Sequence, residues 1–207
     1  MEHITISLWS LALLIAVALA FDFMNGFHDG ANSISTIVAT GALTPKQAVL
    51  FAAFFNFAAL WIFELRVAAT IGKGTVDPAL VDHFVIFGAL MGALIWNIIT
   101  WYYGIPSSSS HALVGGLVGA TVVKAGGLTP IVWSGFGKIL IFIIISPLVG
   151  FLIGGLLMVG VAWVFRNRSP YQAGKWFKGG QLFAAAAYSL GHGGNDAQKT
   201  IGIIWML

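Results

Sequence analysis

The chain has 207 residues, of which 58% are hydrophobic and 8% are charged, and its formal net charge at pH 7 is +3. An ordinary soluble domain carries about 25% charged residues, so this composition excludes a soluble globular fold and predicts an all-α polytopic membrane protein in contact with lipid. The absence of cysteine excludes disulfides and thiolate metal sites. The basic residues lie mostly in short connections, as in membrane proteins oriented by their loops, so nucleic acid is not an expected partner.

Six apolar windows of roughly membrane-spanning length follow one another along the chain. Polar or Gly/Pro-rich breaks separate them, and the first window lacks the basic start and the small-residue cleavage site of a signal peptide. We therefore interpret all six as membrane helices or parts of them. They lie near residues 5–26, 46–65, 83–103, 110–128, 131–165 and 179–207.

The first window runs into a polar stretch, DFMNGFHDGANSIST, at residues 22–36. Its Asp, Asn and Thr residues recur at steps of 3, 4, 3 and 4, which predicts that they share one face of a helix. Because one Asp at the centre of a membrane helix costs about 2.5–3.5 kcal/mol on insertion scales, this face is expected to point inward, toward an ion or solute path. The residues are Asp22, Asn25, Asp29, Asn32 and Thr36.

A break in the apolar pattern, GIPSSSSHALVGGLVGA, follows the third window. Pro106 and the four serines Ser107 to Ser110 precede a Gly-rich helix, so the serine hydroxyls and the free N–H groups of its first turn are expected to face a common point. Such a helix N-terminus is an anion site. The alternative is a serine-rich cap without a ligand. Whether residues 105–128 cross the membrane or form a re-entrant hairpin stays open.

The main basic cluster lies at residues 166–178, which hold Arg166, Arg168, Lys175 and Lys178 and no acidic residue. By the positive-inside rule we expect this segment to be a cytoplasmic loop, which places the N-terminus outside after five crossings. It separates a first transport repeat, residues 1–165, from the start of a second, residues 179–207.

The last window contains a second polar motif, GHGGNDAQKTIGII, which matches the first at a constant offset of 167 residues, as between Asp29 and Asp196. Paired polar segments within apolar helices are typical of the repeats of secondary transporters. If residues 110–128 cross fully, the two motifs run in opposite directions and form inverted repeats. If that segment is re-entrant, they run parallel unless the fifth window holds an extra turn.

Three motifs in this order resemble the inorganic phosphate transporter (PiT) family, in particular its bacterial and archaeal low-affinity members: NGFHDGANSI, WNIITWYYGIPSSSSHALVGG and GHGGNDAQKTIGI. The resemblance covers nearly the whole chain. It implies a homodimeric permease that moves inorganic phosphate with a coupling cation, H⁺ or Na⁺, by alternating access, with no other cofactor. It also implies that this chain is the N-terminal portion of a longer protein.

Three positions depart from parts of the family. Asn56 stands where the sodium-coupled animal members have Glu, which favours proton symport of phosphate or of a neutral metal–phosphate complex. Lys199 stands where the second motif often has Asn, and His28 where the first often has Asn.

The residue types divide into an anion set and a cation set. Hydroxyls, amides and one buried ammonium suit phosphate: Ser107, Ser108, Ser109, Ser110, Asn32 and Lys199. Lys199 could equally pair with Asp196, three positions earlier, or extend toward an interface. Carboxylates and amide oxygens suit a proton or a hard cation: Asp29, Asp196, Asn25 and Asn195. The alternative reading of the Asp and Asn residues is a structural polar seam between helices. No zinc-type histidine spacing is present, so we expect no metal site built from a histidine cluster.

Other functions remain beside phosphate symport. Serine hydroxyls and a helix terminus do not distinguish phosphate from sulfate, so a permease for another oxyanion is the main alternative. A passive channel fits the paired carboxylates poorly. An intramembrane hydrolase using Ser110, His111 and Asp29 lacks a nucleophile elbow, and adjacent Ser and His cannot easily form the required geometry, so we expect no enzyme.

Overall fold

The structure, a computed structural model, describes residues 7–62 and 74–205, and nearly all of them lie in helices. Four of the described helices, α1, α2, α3 and α5 in the numbering that follows, are long and apolar enough to cross a membrane. A short 3₁₀ turn at Pro78–Leu80 precedes α3. The helices are α1 (Leu8–Ala39), α2 (Pro45–Ile62), α3 (His83–Tyr103), α4 (Ser109–Ala125), α5 (Trp133–Phe165) and α6 (Pro170–Trp205).

Local sequence signals explain where several of these helices begin and end. The side chain of Asp82 accepts a hydrogen bond from the Val85 N–H and caps the start of α3, as Ser108 caps the start of α4. Gly104 and Gly126 end α3 and α4 in the left-handed conformation, with φ of 64° and 70°. Such positive φ angles favour glycine, so these two glycines determine where α3 and α4 end.

Helices α1 and α6 pack antiparallel. Asp22, Asn25 and Thr40 of α1 bond to Thr200, Asp196 and Gln181 of α6, so residue numbers rise on one helix as they fall on the other. The two polar motifs therefore run in opposite directions, which rules out the parallel arrangement.

The remaining helices also alternate in direction. Helices α1 and α3 are parallel, because their first halves share a core cluster and His28 meets Thr100 further along both. Helix α4 folds back against α3, with Gly88 beside Ala120 and Gly92 beside Gly116. Helices α3 and α4 thus form a hairpin with the serines at its turn. The α1–α3 cluster is built from Leu14, Ala18, Phe21, Ile86, Leu90 and Ala93, with Leu113 and Ile203.

The buried face of α1 differs from the predicted stripe in its second half. Asn25 and Asp29 are buried as expected, but burial then continues at Ser33 and Ile37 instead of Asn32 and Thr36. Steps of four residues turn the buried face by about 40° each, since an α-helix advances about 100° per residue. The face rotates because the end of α1 packs on α2 and α6, where Ile37 joins Ala48 and Ala185.

The basic segment 166–178 is a loop only over its first four residues, because α6 begins at Pro170 and residues 170–178 are helical. Proline is favoured in the first turn of a helix, since its missing N–H would be unpaired there. Helix α5, which precedes this segment, has no buried residue among its 33 residues. It therefore lies on the outside of the described helices.

Candidate functional site

Four side chains from three helices form a closed ring. Ser109 donates a hydrogen bond to the side-chain carbonyl of Asn25, and the Asn25 amide donates to Asp196 at 2.9 Å. Lys199 Nζ lies 2.5 Å from Asp196 Oδ1 and donates to Ser109 at 3.4 Å. Asn25 and Ser109 are 2% exposed and Lys199 is 5% exposed. A buried ammonium and carboxylate must be paired, so the ring satisfies the charges that the sequence places in the membrane.

The two motif carboxylates meet beside this ring. Ligand atoms of Asp29, Asp196 and His192 all lie within 4.8 Å of one another. His192 Nε2 is 3.1 Å from Asp196 Oδ2, and His28 Nδ1 is 3.3 Å from Asp29 Oδ1. Two carboxylates this close repel each other unless a proton, a histidine or a cation lies between them. The arrangement can therefore hold a proton or bind a cation.

The serine turn brings the N-terminus of α4 to the same point. Ser108 is the N-cap, and its hydroxyl accepts from the His111 N–H at 3.4 Å. Ser109 follows in the first turn, and its hydroxyl lies 3.4 Å from Asp29 Oδ2. Unpaired N–H groups at a helix start attract anions. A hydroxyl, an ammonium and a helix N-terminus thus converge next to two carboxylates.

A cavity of about 930 Å³ opens in front of these groups. Ser108, Ser109, Ser110 and His111 line one side of it, and Lys138 of α5 lines another. The polar residues that also line it include Asp29, Asp196, Lys199, His192 and Asn195. Its volume falls within the range of small-molecule sites, which is about 300–1,000 Å³.

A second, smaller cavity of about 340 Å³ lies behind the Asn25–Asp196 pair, between α1, α2 and α6. Asp22, Ser33 and Asn56 contribute to its lining. Within the described residues, the Ser33 hydroxyl and the Asn56 side-chain carbonyl have no hydrogen-bond partner. Asp196 lines both cavities and so separates them.

The structure gathers most of the predicted site residues and leaves two apart. Ser107 accepts a hydrogen bond of 2.9 Å from the Trp96 indole and lies outside the lining of both cavities. Asn32 is exposed and also lines neither cavity, so its predicted place on the inward face is wrong. Around the larger cavity lie Ser108, Ser109, Ser110, Lys199, Asp29, Asp196 and Asn195, with Asn25 in the ring behind it.

Some residues of the site were missing from the predicted sets. His192 precedes Asp196 by one helical turn, so its spacing in the second motif was a usable signal. Lys138 is the one charged residue of a long apolar window, which was a second signal. Asn97 lines neither cavity, but it is fully buried on α3, and neither end of its amide has a partner among the described residues. Only the packing of α3 against α1 reveals it.

The phosphate transporter family matches residues 25–176, the segment that supplies Asn25, Asp29 and the serine turn. The chain belongs to this family. It is accordingly a multi-pass protein of the cell membrane and not an enzyme.

Bacterial relatives of this phosphate transporter family extend the match. The chain is 56% identical over 194 residues to a probable low-affinity inorganic phosphate transporter of Rhizobium meliloti, covering 94% of the chain and 58% of the relative. It is 46% identical over 196 residues to one of Bacillus subtilis, with the same shares covered. The chain thus spans little more than half the length of these relatives.

A solved structure titled the sodium-dependent phosphate transporter shares the fold, with a TM-score of 0.80 at 22% identity. The similarity covers 96% of this chain and 67% of that one. Helix order and packing are therefore those of a known phosphate transporter fold.

Proposed function

We propose that the chain forms the substrate site of a secondary-active symporter that moves inorganic phosphate with a cation gradient. The ring of Ser109, Asn25, Asp196 and Lys199 at the start of α4 is the observation that carries this proposal. Family membership and the names of the bacterial relatives support phosphate as the substrate. The ring supplies neutral donors and a single buried cation, which suits an anion that must be released again.

Coupling follows from the opposite charges of the two halves of the site. The α4 N-terminus, Ser109 and Lys199 attract phosphate, whereas Asp29 and Asp196 repel it. A cation or proton on the carboxylates removes this repulsion, so each ligand favours binding of the other. This reciprocal effect is what a symporter requires.

Protons are our preferred coupling ion. Each carboxylate has a histidine partner, His28 for Asp29 and His192 for Asp196, and an imidazole nitrogen can pass a proton to a carboxylate. Asn56, which lines the smaller cavity, gives that cavity no extra carboxylate for sodium. Sodium is the second candidate, because the neighbour of this fold is titled a sodium-dependent phosphate transporter and amide and carboxylate oxygens suit a hard cation.

Phosphate could also enter as a neutral complex with a divalent cation. The close approach of Asp29, His192 and Asp196 favours this form, since two carboxylates and one imidazole are a suitable ligand set for a divalent cation carried as substrate. Sulfate is the alternative anion, because hydroxyl donors and a helix terminus accept either tetrahedral oxyanion.

We further propose the membrane orientation and the assembly. The basic residues 166–178 lie on the cytoplasmic side, which puts the starts of α1, α3 and α5 outside. The antiparallel motifs of α1 and α6 support two inverted repeats. The homodimer implied by the family resemblance completes the proposal.

The test is uptake of labelled phosphate by the full-length protein in proteoliposomes with an imposed proton or sodium gradient. We expect phosphate accumulation with an inward proton gradient and its loss when an uncoupler is added. Accumulation driven only by sodium would replace the proton, and equilibration without accumulation would indicate a channel. Excess sulfate should compete weakly, and a chelator of divalent cations should reduce uptake only if a metal–phosphate complex is carried.

A further inference from the structure

Helix α5 turns one polar face toward the larger cavity. The only charged or hydroxyl-bearing residues of this helix are Ser134, Lys138 and Ser146, and all three line that cavity. They are spaced by four and eight residues, which places them along one side of the helix. From the first to the last they span about 18 Å of helix axis, given a rise of about 1.5 Å per residue. The rest of α5 is apolar, as expected for contact with lipid.

The start of α5 is held in place by backbone contacts. Val132 N–H bonds to the Thr75 carbonyl at 3.0 Å, and Asp77 N–H bonds to the Pro130 carbonyl at 2.8 Å. Gly135 packs so closely on Gly74 that a Cβ there would collide with the backbone. Lys138 lies only one helical turn after these contacts. Its position on the wall of the cavity is therefore fixed by the fold.

The charges that line the cavity leave Lys138 as its unpaired cation. Lys199 is held by Asp196 and Ser109 at the inner end. In the described residues, 7–62 and 74–205, no carboxylate forms an ion pair with Lys138, and its side chain is exposed. An unpaired ammonium on the wall of a cleft attracts anions and raises their local concentration.

We propose that Lys138 is the anion-recruiting residue of the transport path: it contacts phosphate at the outer part of the cavity, and Ser134 before it and Ser146 after it extend this contact surface along α5. This inference rests on the proposed function and deepens it by adding α5 to the substrate path. In the proposed orientation the start of α5 faces outside, so Lys138 meets phosphate before the ring of Ser109 and Lys199 does. Lys138 binds phosphate transiently and takes no part in its coupling to the cation.

The test compares Lys138→Gln and Lys138→Arg with wild type in proteoliposome uptake of labelled phosphate. Loss of one charge-assisted contact should raise the KM for phosphate about tenfold for the Gln variant and leave Vmax and the dependence on the cation gradient unchanged. The Arg variant should retain a near-normal KM. Wild-type uptake at low phosphate should fall more steeply with ionic strength than uptake by the Gln variant. Salt screens the Lys138 charge, which the Gln variant lacks.

Lys46→Gln is the matched control, since it removes the same charge from an exposed lysine that lines neither cavity. Its KM should equal that of wild type. A wild-type KM and salt dependence in the Lys138→Gln variant would overturn this inference while leaving phosphate transport intact. Failure of wild type itself to move phosphate would instead overturn the proposed function. Size-exclusion profiles in detergent show whether each variant is folded. If the Gln variant is misfolded, Lys138→Met is measured in the same way.

Discussion

Asn25 of α1 donates a hydrogen bond of 2.9 Å to Asp196 of α6, 171 positions later in the chain. The same amide accepts from Ser109 at the start of α4. One side chain of the first motif therefore connects the second motif to the serine turn. An Asn can do this because it offers donors and an acceptor on one flat group.

Ser109→Ala should weaken phosphate binding far more than Ser107→Ala. Ser109 is buried in the ring, whereas Ser107 accepts a hydrogen bond from Trp96 outside the cavity. Loss of the hydroxyl removes the one O–H that can donate either to the Asn25 carbonyl or to the substrate, so the half-saturation concentration for phosphate should rise about tenfold. Uptake kinetics of the two variants measure this, and equal effects would show that the serine turn acts only as a cap.

Gly116→Ala should destabilise the protein, and Gly115→Ala should not. A Cβ on Gly116 would lie 2.5 Å from the backbone carbonyl oxygen of Ala89, while one on Gly115 meets nothing within 4 Å. The backbone of α3 cannot yield, so overpacking should cost about 1–3 kcal/mol. Alanine at Gly115 gains helix propensity of up to about 1 kcal/mol. Thermal unfolding in detergent compares them, and equal melting temperatures would contradict the α3–α4 packing.

The ion pair between Asp82 and Lys124 should give a pH-dependent contribution to stability. Their side chains lie 2.8 Å apart at the shared end of α3 and α4. Burial raises the pKa of Asp82, but hydrogen bonds from Lys124 and the Val85 N–H outweigh it, so the pKa lies below its ordinary value. A lowered pKa stabilises the folded state at pH values above about 4, and this contribution disappears as the pH falls through the folded-state pKa.

Asp82→Asn keeps the helix cap and removes the ion pair, so it should cost about 0.5–1 kcal/mol at neutral pH. The difference from wild type should shrink as the pH is lowered below about 4. Melting temperatures measured in detergent across this range provide the check. A difference that persists in acid would mean that the pair does not depend on the Asp82 charge.

The helices and the pairing of the two motifs could be predicted from the sequence. Apolar length defines a membrane helix almost without tertiary information, because lipid leaves no other way to pair the backbone. The offset between Asp29 and Asp196 likewise indicated that two polar segments would share one place. Pro106 and the serines predicted the break before α4 for local conformational reasons.

Rotation of a helix face and the choice among similar residues could not be predicted in this way. Ser33 replaces Asn32 on the buried face because the end of α1 packs against α2 and α6. This packing depends on three helices together and cannot be read from α1 alone. Ser107 and Ser109 have the same chemistry, and only the position of the Trp96 indole separates their roles. Lys138 stood out by charge, but its place on the cavity wall depends on the anchor at Gly74.

The central claim is that the carboxylates beside Ser109 couple a cation to phosphate. It is tested most directly by gradient-driven uptake of labelled phosphate in proteoliposomes that contain the full-length protein with Asp29→Asn. Asn preserves the shape of the side chain and removes its charge and its capacity to carry a proton. We predict that the variant folds normally and fails to accumulate phosphate under an imposed proton or sodium gradient. Accumulation at the wild-type level would contradict the account.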